Sequence, residues 1–399
     1  MTTDRIRSAI AAAEADLLRL SHEISDDPEL AFAEVRAAER VAALLERRGF
    51  AVTRGAYELP TSVEGVFGTG DLTVVIPCEY DALPTVGHAC GHNVIATASV
   101  GAALGLAEVA DELGLRVVLL GTPAEEDGGG KILLLQRGAW DDAALSLMVH
   151  PAPTGQLPAS GHLTLALEHI EIEFTGRAAH AAAMPHTGIN AGDAVTLTQV
   201  GIGLLRQQLP KSIVVASRVV EAGEATNVIP ARGLMEIEIR GTDPEEWAAA
   251  RERVRRVAEG AAIATGCEWA IEQTEAPYEP LDSHAELSAL WDRAVTEELD
   301  YVLGEPPRGF VGGSTDMGNV SQYLPAIHPM LEIRGTSASP HHPDFAAAAR
   351  SEAGDRAAID GAIALALTAA GAAASPELRE RLLLARAERA PYAEFAAGR

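Results

Sequence analysis

The sequence is poor in aromatic residues, in cysteine and in positive charge. Phe, Trp and Tyr make up 4% of its 399 residues, so its cores must be built mainly from aliphatic and alanine-rich surfaces. That suits helices packed closely on a sheet. Three cysteines (Cys78, Cys90 and Cys267) are too few for a disulfide scaffold and fit a reducing compartment. Lys and Arg number 31 against 57 Asp and Glu, a formal net charge of −26. Little is left to neutralise phosphate, which argues against nucleic acid or an anionic membrane as partner. Such a charge otherwise speaks of solubility rather than fold. No run of about 18 apolar residues is seen, so no membrane span is expected. Met1 to Leu20 is charged with helical spacing and carries no apolar leader. The expectation is a cytoplasmic protein.

What is present is an ordinary globular composition, 47% hydrophobic and 22% charged. The length favours two domains over one core. Asp4 to Phe50 reads as two helices broken at SDDPEL, where Asp27 and Pro28 suit a new helix start. Apolar runs at Leu72 to Ile76, Leu115 to Leu120 and Leu145 to Val149 read as buried strands, with an Ala-rich helix from about Val94 to Leu113. Strands alternating with helices predict a largely parallel α/β sheet.

From about Leu165 the texture changes to half-exposed alternation, as in antiparallel strands. A helix (Ile189 to Gln208), two strands (SIVVASRVV, GLMEIEIRG), a helix from Glu245 to Ala264 capped by Thr242 or Asp243, and a last strand near Glu268 to Glu275 follow. The division expected is a first domain in two parts, 1–164 and 278–399, with an α+β insert over 165–277. The second part holds a helix (His284 to Leu299), the loop FVGGSTDMGN, a strand around Met330 to Ile333, SPHHPDF and an Ala-rich helix ending at Ala374.

The residues with chemistry follow the predicted strands, where open α/β sheets bind their ligands. VVIPCEYDALPTVGHACGHN (Val74 to Asn93) gathers Glu79, Asp81, His88, Cys90 and His92. Thiolate and imidazole are good first-row metal ligands, and glycines on both sides let the backbone fold around an ion. GTPAEEDGGG places Glu125 and Glu126 side by side; such neighbours repel unless solvated or bound to a cation. One carboxylate can bind metal while the other takes a proton from water. His150 ends the third strand. The pattern points to a metal-dependent hydrolase. Two rivals are a metal-binding protein without turnover and a thiol hydrolase with Cys90 as nucleophile.

CEYDALPTVGHACGHN, GTPAEEDGGG, LMVHP and SPHHPDF resemble the metallopeptidase family M-twenty, of aminoacylase and carboxypeptidase G type. Within it they are most similar to the amidohydrolase branch of p-aminobenzoyl-glutamate hydrolase and the β-alanyl-lysine and Xaa-Arg dipeptidases. The resemblance covers nearly the whole chain. It implies a two-metal catalytic domain with an inserted lid domain that forms a homodimer. Cys90 matches the bridging ligand, and His92, Glu126, His150 and His341 match the others, with His342 the alternative for the last. Glu125 matches the general base, and Asp81 the carboxylate orienting a ligand. Glu79 falls where other branches carry a metal-binding His.

In the insert, His180 matches a histidine that reaches the partner's active site and stabilises the oxyanion. Asn227 and Arg240 match residues gripping the substrate carboxylate. Gly313, Ser314 and Thr315 resemble a substrate-lining loop. The activity implied is hydrolysis of the amide of N-acyl or aminoacyl amino acids, or of p-aminobenzoyl-glutamate-type aryl amides. The metals implied are zinc or manganese, with cobalt possible.

Overall fold

Strands buried on both faces of a sheet are written as unbroken apolar runs, and Leu72–Cys78 and Leu115–Gly121 obey that rule. In the computed structural model, which describes residues 2–306 and 313–397, they pair in parallel at the centre of a six-stranded sheet. Its order is Ala51–Arg54, Val63–Phe67, Leu115–Gly121, Leu72–Cys78, Leu145–Leu147, Ala326–Ile327. The last two strands continue the parallel set, and the first two are antiparallel. The sheet is thus mostly parallel with an antiparallel edge. That edge was not legible, because Ala51–Arg54 is short and mostly exposed and lacks an apolar run.

The helix His92–Ala107 is buried along nearly its whole length, beside Thr2–Asp26 and Glu352–Ala374. The latter is long and apolar enough to cross a bilayer by length and composition. It is a core helix here, with Gly361 closing on Ala98. The expected helix start at Pro28 is overturned: Thr2–Asp26 ends there, and the next helix is Val35–Arg47. Asp27 instead receives Arg36 and Arg40, while the Glu29 carboxylate accepts the Arg36 and Ala37 amides at 2.8 and 2.9 Å. The third expected strand also splits. Leu145–Leu147 stays in the main sheet, and His150–Ala152 pairs in parallel with Met330–Glu332.

The chain divides into two units, Met1–Leu163 with Leu281–Arg399, and Thr164–Pro280. The second unit is a four-stranded antiparallel sheet ordered Glu268–Gln273, Ala166–Thr175, Arg232–Gly241, Ile213–Glu221. Along Ala166–Thr175 burial alternates residue by residue, the mark of a sheet covered on one face. Ile170, Ile172 and Phe174 share a core with the helices Ala191–Leu205 and Pro244–Thr265. Asn190 caps the first helix, and Asp243, rather than Thr242, caps the second by accepting the Glu246 amide at 2.9 Å.

Candidate metal centre

Three neighbouring parallel strands deliver the residues that follow them to the carboxyl end of the main sheet. Glu79 and Asp81 follow Leu72–Cys78, Glu125 and Glu126 follow Leu115–Gly121, and His150 stands three residues past Leu147. Gly91 turns the chain sharply between Cys90 and His92, with φ +81°. A Cβ there would lie 2.5 Å from Pro151, so the turn also needs a residue without a side chain. His92 then opens the helix His92–Ala107 and faces back to the strand ends.

Donor atoms converge from these loops in three sets, two of which share one thiol and the third of which joins Glu79, His92 and Glu125. Cys90, His92 and His150 form the first, and Cys90, Glu126 and His341 the second, with all donor atoms of a set within 4.8 Å of one another. Cys90 Sγ lies 3.3 Å from His150 Nε2, and the far nitrogen of His150 is 2.7 Å from the Pro151 carbonyl. His92 Nδ1 is 3.0 Å from Asp81 Oδ1, while the other Asp81 oxygen accepts the Glu126 amide at 3.0 Å. Asp81 thus orients one candidate ligand and anchors the loop of another. His341 Nε2 stands 3.4 Å from Glu126 Oε2. His342 points its Nδ1 at the Asp344 amide, 3.2 Å away, and caps the helix Pro343–Ala349. The two adjacent histidines are therefore differently employed.

The electrostatics suit divalent cations. Glu79, Asp81, Cys90, Glu125, Glu126 and Asp316 crowd together in largely buried positions with one ammonium, that of Lys131. His92 Nε2 and Glu126 Oε1 are buried without a hydrogen-bond partner among the described residues. Such orphans are costly unless a ligand answers them. Burial pushes the Cys90 thiol and the Glu125 carboxyl well above their ordinary values, and the charges of Glu79, Glu126 and Asp316 add to it at Glu125. Burial and the charge of His92 push His150 down to about 3, so its imidazole is neutral and free to coordinate. The Cys90 thiol and the Glu125 carboxyl therefore favour their protonated forms, and bound cations favour loss of those protons. The donor set fits first-row divalent metals.

Other residues of the centre were not anticipated. Lys131 bridges Glu79 and Asp316, and its backbone amide donates to Asp316 at 2.8 Å. Glu34, fully buried, accepts the Ala124 amide at 2.8 Å just before Glu125, where Ala124 has φ +59°. The acidic sequence SDDPELAFAE carried that residue but offered no sign of its remote partner.

Of the predicted substrate residues, Thr315 is buried and accepts the Met317 amide at 3.2 Å beside Asp316, with Ser314 and Gly313 preceding it. The first residues of the expected loop FVGGSTDMGN, 310–312, lie outside the described residues. His180, Asn227 and Arg240 belong to the second unit. There Asn227 O accepts the Ala181 amide at 2.9 Å, and His180 Nδ1 accepts the Ala182 and Ala183 amides at 3.2 and 3.1 Å. Arg240 sits on another strand in a two-pronged contact with Glu238 at 2.6 and 3.1 Å.

Fold and site together define a hydrolase that activates water with divalent metal, the class in which strand-end donors surround a neighbouring carboxylate base. The sequence profile of peptidase family M20/M25/M40 matches residues 76–357, and the chain belongs to that family. It is similar to the Xaa-Arg dipeptidase of Mus musculus, 34% identical over 94% of this chain and 90% of that protein. It is also 34% identical to one of the subunits of the p-aminobenzoyl-glutamate hydrolase of Escherichia coli, over 64% of this chain and 57% of that protein. A solved dinuclear metal-binding peptidase of the family from Bacillus subtilis superposes with TM-score 0.65 at 25% identity, covering 89% of this chain and 99% of that one. The chain is accordingly a metal-dependent hydrolase of amide or peptide bonds.

Proposed function

We propose that this amidohydrolase carries two divalent ions, zinc or manganese with cobalt as an alternative, and cleaves aminoacyl or N-acyl amino acids. The observation that carries the reading is the pair of donor sets joined at Cys90, with Glu125 beside them in a third set that includes Glu79 and His92. His92 and His150 complete one set, and Glu126 and His341 the other. When bound, two such ions polarise the substrate carbonyl and acidify the attacking water. Glu125 takes the water's proton and passes it to the departing nitrogen. Asp81 keeps the His92 ring oriented throughout.

His180 of the partner subunit donates to the developing oxyanion, while Asn227 and Arg240 receive the substrate carboxylate, Arg240 exchanging Glu238 for it. Gly313, Ser314 and Thr315 line the substrate. Pairing of two chains through the insert is supported by its exposed apolar residues. Val200 and Leu204 stand on the helix Ala191–Leu205, and Val214 and Val220 on the strand Ile213–Glu221, which is last in its sheet. We place the enzyme in the cytoplasm, on its three cysteines outside any disulfide.

The test is hydrolysis of β-alanyl-lysine, alanyl-arginine, p-aminobenzoyl-glutamate and several N-acetyl amino acids by protein stripped of metal and then reloaded. Turnover of an aminoacyl or N-acyl substrate, lost with a chelator and restored by zinc, manganese or cobalt, supports the reading. Turnover that survives chelation would make Cys90 a nucleophile instead. Two bound ions with silence across the whole panel would overturn the substrate class.

A further inference from the structure

Lys131 is among the largest side chains with no solvent exposure, and it lies at the second position of the helix Gly130–Gln136. Both carboxylates it meets, Glu79 and Asp316, are equally inaccessible. Asp316 is used at both oxygens: Oδ1 takes the Lys131 ammonium at 2.6 Å and Oδ2 the Lys131 amide at 2.8 Å. Glu79 is used at one. Its Oε1 contacts the same ammonium, whereas Oε2 has no hydrogen-bond partner among the described residues. That second oxygen stands 3.4 Å from His92 Nε2, and Glu79, His92 and Glu125 have donor atoms within 4.8 Å of one another. Burial pulls the ammonium of Lys131 toward neutrality, but Asp316 and Glu79 outweigh it and keep the lysine charged.

Two carboxylates overmatch one ammonium, so as a fold element the triad is a poor arrangement: an apolar cluster of similar volume would serve stability as well or better. What it achieves is placement. We propose that Lys131, fixed by Asp316, is a positioning residue that commits one oxygen of Glu79 and presents the other to the centre beside His92, as a further donor to a divalent ion. The inference rests on the dinuclear reading above. It assigns Glu79 a part in holding metal, alongside the five ligands already named.

The experiment uses the full-length protein, stripped and titrated with cobalt(II), whose visible absorption reports donor type and number. Occupancy is read against a competing chelator. Glu79→Gln keeps the shape and removes the charged donor, and Lys131→Met removes the clamp. Each is expected to weaken one of the two cobalt sites by about tenfold or more and to change its absorption, as loss of outer-shell support does elsewhere. The double variant should be no weaker than the poorer single one, because both act on the same oxygen. Wild-type affinity and spectrum in folded Glu79→Gln would overturn the proposal, as would a lowered melting temperature with an unchanged spectrum. If Lys131→Met does not fold, Lys131→Met with Asp316→Asn removes a balanced pair and must still show the weakened site. A wild-type protein that binds two ions yet cleaves no amide would overturn the catalytic reading while leaving this one standing. A protein that binds none would overturn both.

Discussion

The two units handle buried charge in opposite ways. In the insert, Glu168 is buried on the covered face of the sheet, and its Oε1 accepts from Arg251 at 2.6 Å, Arg255 at 2.8 Å and Gln273 at 3.2 Å. Its other pairs, such as Arg232 with Glu173 and Arg218 with Glu236, lie in solvent and contribute little each. At the strand ends of the larger unit, carboxylates face one another, a thiol and histidines, and Lys131 is the one ammonium among the described residues there. The buried carboxylate of the insert meets two guanidinium groups of its own chain, whereas the strand-end carboxylates of the larger unit outnumber the ammonium beside them and are arranged for a cation to match. This asymmetry separates a scaffold from a site more sharply than the amount of buried charge does.

The largest effect that would sharpen the comparison is loss of Glu125. Glu125→Ala should lower turnover by about a thousandfold or more, the loss expected for a general base, while metal content stays at the wild-type level. Steady-state rates beside metal analysis of the same preparation check both halves. Loss of metal together with turnover would make Glu125 a ligand, and the centre would then lack its base.

The complementary change lies in the insert's core. Trp247 is buried, donates its indole N–H to the Ile239 carbonyl at 3.0 Å and stacks under Arg251. Trp247→Ala should destabilise the insert by about 3–5 kcal/mol through cavity formation and the lost hydrogen bond. Metal loading should persist, because every candidate ligand lies in the other unit. Thermal unfolding and metal analysis of the variant decide it; a fall in metal content equal to that from a lost ligand would break the comparison.

How far the sequence reveals each unit follows from the same physics. Cys90 and His92, two apart with Gly91 between them, and the adjacent Glu125 and Glu126 were readable because a metal site draws donors from single loops at strand ends. The parallel strands were readable as apolar runs. Glu34 and Asp316 were not, since their partners Ala124 and Lys131 lie 90 and 185 residues away. No local pattern marks a contact that only the folded sheet creates. The antiparallel strand Val63–Phe67 was missed for a related reason: it is short, and its burial depends on pairing with Leu115–Gly121. In the insert, alternation predicted the strands well. The roles proposed for His180, Asn227 and Arg240 rest on resemblance alone, although the spacing of Glu238 and Arg240 on one strand face does foretell their pairing.

The smallest effect concerns pH and tests whether the insert's ion pairs are as self-sufficient as they look. His169 lies between Glu275 at 3.2 Å and Glu238 at 2.8 Å on the open face of the sheet. The hydrogen bond to Glu275, partly offset by desolvation and reinforced by Glu238, raises it to about 9. A histidine raised in the folded state binds its proton more tightly there than in the unfolded chain. Its contribution is therefore complete below the ordinary histidine value of about 6.5 and is lost as pH rises through about 9. The Arg240 contact with Glu238 competes for the same carboxylate, and water reaches a third of the imidazole, so the gain is screened and should move the melting temperature by only a few degrees. Comparing wild type with His169→Gln at pH 6 and pH 9.5 should show a gap at the lower pH that closes at the higher. A gap of the same size at both would mean that His169 acts through packing and that its pairs with Glu238 and Glu275 do not stabilise the insert.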